Sequence, residues 1–179
     1  MRFPNDISEE KEIEQMIRVN HAGEYGAKRI YQGQLAVLKG KESEAIISKM
    51  AKQEEEHLQE FSQMVGARKI RPTALLPVWH IAGYALGAAS ALLGEKAAMA
   101  CTVAVEEVID EHYQSQIQKL NKNKKEKKLN QKIKKFRADE LEHRDIGIAH
   151  DAESAPAYSV LTSAVKAASK TAIWLSKRI

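Results

Sequence analysis

One pattern occurs twice in this chain, and the repeat constrains the fold more tightly than any other feature. Glu24 is followed 30 residues later by Glu54-Glu55-Glu56-His57, and Glu106 is followed 34 residues later by Glu140-Leu141-Glu142-His143. Positions i and i+3 share a helical face, so Glu54 with His57, and Glu140 with His143, each form a two-ligand unit. Glu24 and Glu106 then belong to two further helices. Four carboxylates and two imidazoles delivered by four helices make the ligand set of a carboxylate-bridged di-metal site. The set is chemically closed, because four glutamates balance two divalent cations and leave no net buried charge.

The halves also match outside these residues. Seven positions after Glu24 the chain reads Tyr31-Gln32-Gly33-Gln34-Leu35, and seven after Glu106 it reads Tyr113-Gln114-Ser115-Gln116-Ile117. Seven residues are two helical turns, so each tyrosine lies on roughly the face of its glutamate. Met50 and Phe136 stand four residues before Glu54 and Glu140. A single Glu-x-x-His arises by chance in many charged helices; two copies in register with two upstream glutamates do not. Oxygen and imidazole donors suit iron, manganese or zinc, and two bridging carboxylates beside apolar residues favour iron. The spacing assigns Glu54 and Glu140 as bridges, Glu24 and Glu106 as terminal carboxylates, and His57 and His143 as one nitrogen ligand per metal. Glu55, Glu56 and Glu142 fall to the surface or the outer shell. Asp110 and Asp139 are the expected partners of the imidazoles' second nitrogens. His21, Tyr31 and Tyr113 either line the site or pack beside it, and Cys101 reads as a small core residue.

The rest of the chain supports an all-α protein. At 179 residues, with four Pro and nine Gly, it fits a single domain over 1–179 with a full core. The pattern predicts helices from Asp6 or Ser8 to Lys39, Glu42 to Val65, Glu95 to Leu120 and Lys125 to His150. A fifth, amphipathic helix occupies 157–179, with Pro156 in its first turn. Its stripe is Val160, Leu161, Ala164, Val165, Ala168, Ala172 and Leu175. Lys166, Lys170 and Lys177 stand opposite, so the helix either lies at a membrane interface with Trp174 as its anchor or simply docks its stripe on the bundle. Residues 72–94 carry no Asp, Glu, Lys or Arg. They fall where a ferritin-like bundle needs its long crossover, so they read as a crossover helix with an exposed or half-exposed apolar face lying on or dipping into a membrane, a crossover fully buried in the protein being the alternative. His80, Gly83, Gly87 and Ser90 argue against a full span. Nine lysines and one acid between Lys119 and Lys135 make either a solvated entry to the fourth helix or a patch for anionic lipid. With no aromatic residues interleaved, they do not point to nucleic acid. A single cysteine excludes an intrachain disulfide and suits a reducing compartment. The acidic N-terminus is neither a signal nor a transit peptide.

Three segments resemble a known family: Val19-Asn20-His21-Ala22-Gly23-Glu24-Tyr25-Gly26-Ala27, Val105-Glu106-Glu107 with His112-Tyr113, and Asp139-Glu140-Leu141-Glu142-His143-Arg144-Asp145-Ile146-Gly147. They are similar to the demethoxyubiquinone hydroxylases of ubiquinone biosynthesis, within the ferritin-like di-iron superfamily, and the likeness continues through His150-Asp151-Ala152-Glu153 and Ala155-Pro156-Ala157-Tyr158. The resemblance implies a ferritin-like four-helix bundle with an apolar crossover and a C-terminal amphipathic helix. It implies a membrane-associated monooxygenase with two Fe ions that uses O2 and reducing equivalents, NADH being expected, to hydroxylate a polyprenylated demethoxyquinol. All six metal positions, Glu24, Glu54, His57, Glu106, Glu140 and His143, are filled. The family's His-Tyr pair, linked to electron delivery, falls on His112 and Tyr113. The implied location is the cytoplasmic face of a bacterial inner membrane, or the matrix side of the mitochondrial one for a mature eukaryotic form. Other ubiquinone-biosynthesis proteins and further copies of the chain are possible partners. A ferritin- or rubrerythrin-like iron protein is the alternative, weakened by the lack of a paired-cysteine motif; a non-enzymatic quinone- or lipid-binding scaffold is the second. Gly23, Gly26 and Gly33 either admit a flat ring or allow close helix packing.

Overall fold

The computed structural model describes residues 7–122 and 126–179, and among them the chain is all-helical. Helix α1 spans Glu9–Val37, α2 Glu44–Ala67, α3 Leu76–Leu92, α4 Glu95–Leu120, α5 Lys127–Ala149 and α6 Tyr158–Ser176, with a 3-10 turn at Ala152–Ser154 before α6. Ser8 caps α1 by accepting a hydrogen bond from the Lys11 amide at 3.2 Å, and acids at 9, 10 and 12 suit the positive end of the helix dipole. The expected Glu95 start and Leu120 end of α4 hold, and the ends of α1, α2 and α5 differ by one or two residues, while α3 starts four residues into the uncharged run and α6 stops three residues before the expected end. Asp6 and Lys125, offered as helix starts, lie outside the described residues. Pro156 does not enter α6: Ala157 adopts a left-handed conformation (φ 50°) and the helix begins after it. Gly94 (φ 111°) separates α3 from α4 in a conformation that residues with side chains rarely adopt.

The core is built from two helix pairs. α1 packs on α2 and α4 on α5, while α3 lies along α1 and α6 along α4. Glycines bring α3 against α1: a Cβ at Gly33 would sit 2.2 Å from the Tyr84 carbonyl oxygen, and one at Gly87 would sit 1.9 Å from that of Ile30. Two apolar plugs close the bundle. One contains Leu38, Ile47, Met50, Ala97 and Met99; the other contains Ile17, Phe61, Leu120, Ile133 and Phe136. Along α1, α2, α4 and α5 the buried Glu24, Glu54, His57, Glu106, Glu140 and His143 fall between residues of these two plugs.

The outer helices are only half covered. Val78, Ile81 and Leu92 on α3 are 50%, 71% and 75% exposed, so the crossover is not a buried element. No helix among the described residues is long and apolar enough to cross a membrane. On α6 the expected stripe splits: Val165 is buried and Leu161 half-buried, but Val160, Ala164 and Ala168 face outward. Lys166 and Lys170 are not a free basic face, because they pair with Glu107 and Glu111 along α4. Of the lysines from 119 onward, Lys119 pairs with Glu12 and Lys132 with Glu60.

Candidate metal centre

The six predicted residues converge from α1, α2, α4 and α5. Glu54, Glu140 and His143 are completely buried, and Glu24, His57 and Glu106 are at most 2% exposed. Their donor atoms form two overlapping groups: Glu24, Glu54, His57 and Glu140, and Glu54, Glu106, Glu140 and His143. Within each group the atoms lie within 4.8 Å of one another. Glu54 and Glu140 belong to both, as bridges would; each remaining Glu-His pair belongs to one.

Both imidazoles turn Nδ1 inward. His57 Nδ1 lies 3.1 Å from Glu140 Oε1 and 3.5 Å from Glu24 Oε2. His143 Nδ1 lies 3.2 Å from Glu54 Oε1 and 3.3 Å from Glu140 Oε2. The outward nitrogens find different partners. His57 Nε2 meets Asp139 Oδ2 at 3.1 Å, as expected. His143 Nε2 meets Gln53 Oε1 at 3.2 Å. Asp110, the other expected partner, instead accepts from Arg137 Nε at 2.6 Å, because it points along α4 toward α5 and away from either ring. The Gln53 contact was missed, although a signal existed: Gln53 precedes Glu54 as Asp139 precedes Glu140.

The repeat tyrosines cross between the halves. Tyr31 donates to Glu106 Oε1 at 2.9 Å, and Tyr113 donates to Glu24. Both therefore line the site. His112, next to Tyr113, points away from the cluster. It sits in a surface pocket of about 280 Å³ with Lys119, Lys170, Lys177 and Arg178 among its walls. Burial, then the charges of Lys177 and Lys119, hold His112 down at about 4, and its Nε2 accepts from the Gln116 amide at 2.7 Å. Gln116 also exchanges two hydrogen bonds with Asn20, a buried α1–α4 link that sequence reasoning missed. His21 is buried with Nδ1 unpartnered. Cys101 is fully buried, which pushes its thiol up to about 12. Glu55 pairs with Lys28 and Glu142 with Lys49, both off the site, and Glu56 is exposed.

The donor set fits metal. Glu24 Oε2, both Glu54 oxygens, Glu106 Oε2, Glu140 Oε2 and His143 Nδ1 are buried and lack a hydrogen-bond partner. Buried polar atoms are nearly always satisfied, and six orphans in one cluster are what cations would satisfy. Without cations, protons must serve. Burial, reinforced by the Glu140 charge, pushes Glu54 and Glu106 well above the usual carboxylate range. Burial would raise Glu140 too, but the His143 and His57 imidazoles beside it hold it down at about 2. Burial opposes charge on the imidazoles as well; the carboxylates outweigh it and lift His57 to about 12 and His143 to about 11.

Fold and site together define a class: a helical bundle with a buried cluster of four carboxylates and two imidazoles suited to metal. Comparison with known proteins narrows the class. Residues 11–176 match the family model described as Ubiquinone biosynthesis protein COQ7. The chain is 54% identical over 168 residues to the NADPH-dependent 3-demethoxyubiquinone 3-hydroxylase, mitochondrial, of Dictyostelium discoideum, covering 93% of this chain and 77% of that one. It is 53% identical over 169 residues to the human protein of the same name, covering 93% and 78%. With the 3-demethoxyubiquinol 3-hydroxylase of Rhodospirillum rubrum it shares 52% over 179 residues, covering 99% and 84%. The chain belongs to the COQ7 family.

Proposed function

We propose that this protein is a di-iron monooxygenase that hydroxylates the ring of a polyprenylated demethoxyquinol, at the position named in its relatives, as a step of ubiquinone biosynthesis. The observation that carries this reading is the pair of donor groups sharing Glu54 and Glu140, in a chain more than half identical to enzymes named for that hydroxylation.

Glu54 and Glu140 would bridge the two irons, Glu24 with His57 would hold one, and Glu106 with His143 the other. When bound, the irons supply the reductive activation of O2, which needs two electrons and two protons beyond the substrate. Asp139 and Gln53 orient the imidazoles, and Tyr113 and Tyr31 hold the terminal carboxylates. The apolar plugs keep water from the reacting centre. The reductant is a reduced nicotinamide nucleotide; the mitochondrial relatives are named for NADPH, where the resemblance pointed to NADH. His112 and Tyr113 would carry the electrons toward the cluster. Their ring centroids are 6.3 Å apart, one ring faces the basic pocket, and the other side chain donates to Glu24.

The quinol ring would enter an apolar groove of about 150 Å³ enclosed by α1, α3, α4 and α6. Gly23 and Val105 line this groove, and the next residues, Glu24 and Glu106, belong to the cluster. The exposed faces of α3 and α6 suit peripheral contact with the membrane that holds the prenyl tail.

Quinones extracted from cells lacking the protein test the reaction. The demethoxy precursor should accumulate and recover on complementation; an unchanged quinone profile would remove the assignment. For the membrane, Ile81→Glu with Leu92→Glu should move the protein into the soluble fraction with its iron intact. Turnover of a long-tailed quinol should fall more than that of a short-tailed one. Equal losses on both substrates would show that these residues serve the bundle instead.

A further inference from the structure

Three glycines occupy one flank of α1, and the structure separates them. Gly33 is required by packing, since its Cβ would strike the α3 backbone at Tyr84 and Ala88. Gly23 and Gly26 are different: a Cβ at either position meets no atom within 4 Å. Neither has the positive φ that demands glycine, and both lie well inside α1, where glycine is less favourable than alanine. Backbone conformation and packing therefore leave both residues unexplained. What they share is the groove. Both line it, with Ala82 of α3 and Ala168 and Ala172 of α6 among the other walls; α3 comes closest at Gly26, where a Cβ on Gly83 would sit 2.9 Å from the Gly26 carbonyl oxygen, while the position a Gly26 Cβ would take stays clear.

We propose that Gly23 and Gly26 determine substrate specificity by forming a floor of bare helix backbone, whose missing side chains set the thickness of the ring the groove admits. The proposal rests on the hydroxylase reading above and assigns it two residues outside the metal cluster. The bare floor spares the depth of two methyl groups beside Glu24. Methyl hydrogens and a methoxy methyl turned out of the plane thicken a substituted ring, so it uses more of that depth than an unsubstituted ring does. The groove can accept side chains at these positions without strain, so the chain forgoes helix stability to keep the space open.

Trp79 also lines the groove, which gives a direct reading of binding. The chain has two tryptophans, so iron-loaded protein carrying Trp174→Phe reports through Trp79 alone. Gly23→Ala, Gly26→Ala and Gly33→Ala would be compared in that background. The probes are a decyl-tailed demethoxyquinone and a decyl-tailed quinone with an unsubstituted ring. Gly23→Ala and Gly26→Ala should each raise the melting temperature by about 2–4 °C and leave iron content unchanged. Each should weaken quenching of Trp79 by the demethoxyquinone roughly tenfold, the effect of one methyl group in a tight apolar site, while the unsubstituted ring loses much less. Gly33→Ala should lower the melting temperature. If both variants are more stable yet bind the demethoxyquinone as the parent does, the specificity role is overturned. If they melt early like Gly33→Ala, the glycines serve packing and the proposal also fails. The hydroxylase reading is tested separately by the parent: if it does not oxygenate the demethoxyquinol at all, that reading falls first.

Discussion

The two halves of the cluster repeat one residue spacing and differ in their electrostatics. His57 leans on the carboxylate of Asp139, stacks on Phe136 with centroids 4.0 Å apart, and borders a polar pocket of about 310 Å³ between α2 and α5. His143 leans on the neutral amide of Gln53, meets Tyr31 edge-on, and is fully buried. Each partner comes from the residue before the opposite half's bridging glutamate, so the contacts are symmetric in register and unequal in charge. A carboxylate makes an imidazole a stronger donor than an amide does. The repeat therefore builds two similar donor groups whose outer partners differ in charge.

The largest effects should come from what the halves share. Glu140→Ala should abolish binding of both irons, whereas Glu24→Ala should lose mainly the one beside His57. Iron analysis of anaerobically loaded protein checks this, and an equal loss in both variants would erase the distinction between bridging and terminal groups.

Removing metal should lower the melting temperature by roughly 10 °C, as expected for a ligand well above its dissociation constant in a chain of this size. The metal-free form should also respond to pH in a definite direction. Glu54 and Glu106 hold protons above the carboxylate reference of 4.5, and His57 and His143 above the imidazole reference of 6.5. Over that range the unfolded chain binds fewer protons than the folded one, so stability falls as pH rises. Metal-free protein should thus melt progressively earlier from about pH 4.5 upward as Glu54 and Glu106 lose their advantage, and more steeply above about 6.5 where the imidazoles join. Glu140, held low, adds a loss of stability only in acid, between about 4.5 and 2. Melting curves from pH 5 to 9 with and without iron test this; a metal-free form that gains stability toward pH 9 would contradict the proton-filled cluster.

The asymmetry itself predicts smaller changes. Asp139→Asn should weaken metal binding on the His57 side by about 10- to 100-fold, making the halves alike. Gln53→Asp should tighten the His143 side by less, since that ring is already enclosed. Titration with Co(II), followed by its visible absorption, separates the two affinities, and unchanged steps in both variants would show that the outer partners do not tune the site.

Much of this was legible in the residues. The six cluster positions and the helices follow from spacing and periodicity, and Asp139 was found because it neighbours a ligand on its own helix. Asp110 was misplaced for the matching reason: its position along α4 was right, but its direction relative to α5 was not. Helical periodicity puts the α6 lysines opposite the apolar stripe but does not show that Lys166 and Lys170 pair with Glu107 and Glu111 of α4.

What the sequence by itself determined is what one helix can encode: the i, i+3 units, the two-turn offset of each tyrosine from its glutamate, the uncharged crossover and the family. Only the tertiary structure decided that Tyr31 serves Glu106 and Tyr113 serves Glu24, that Gln53 answers His143, and that Gly33 packs while Gly23 and Gly26 open onto a groove. Those facts depend on the rotation and register of one helix against another. Contacts among several surfaces set these together, and the periodicity of a single helix is the same for every rotation of its neighbours.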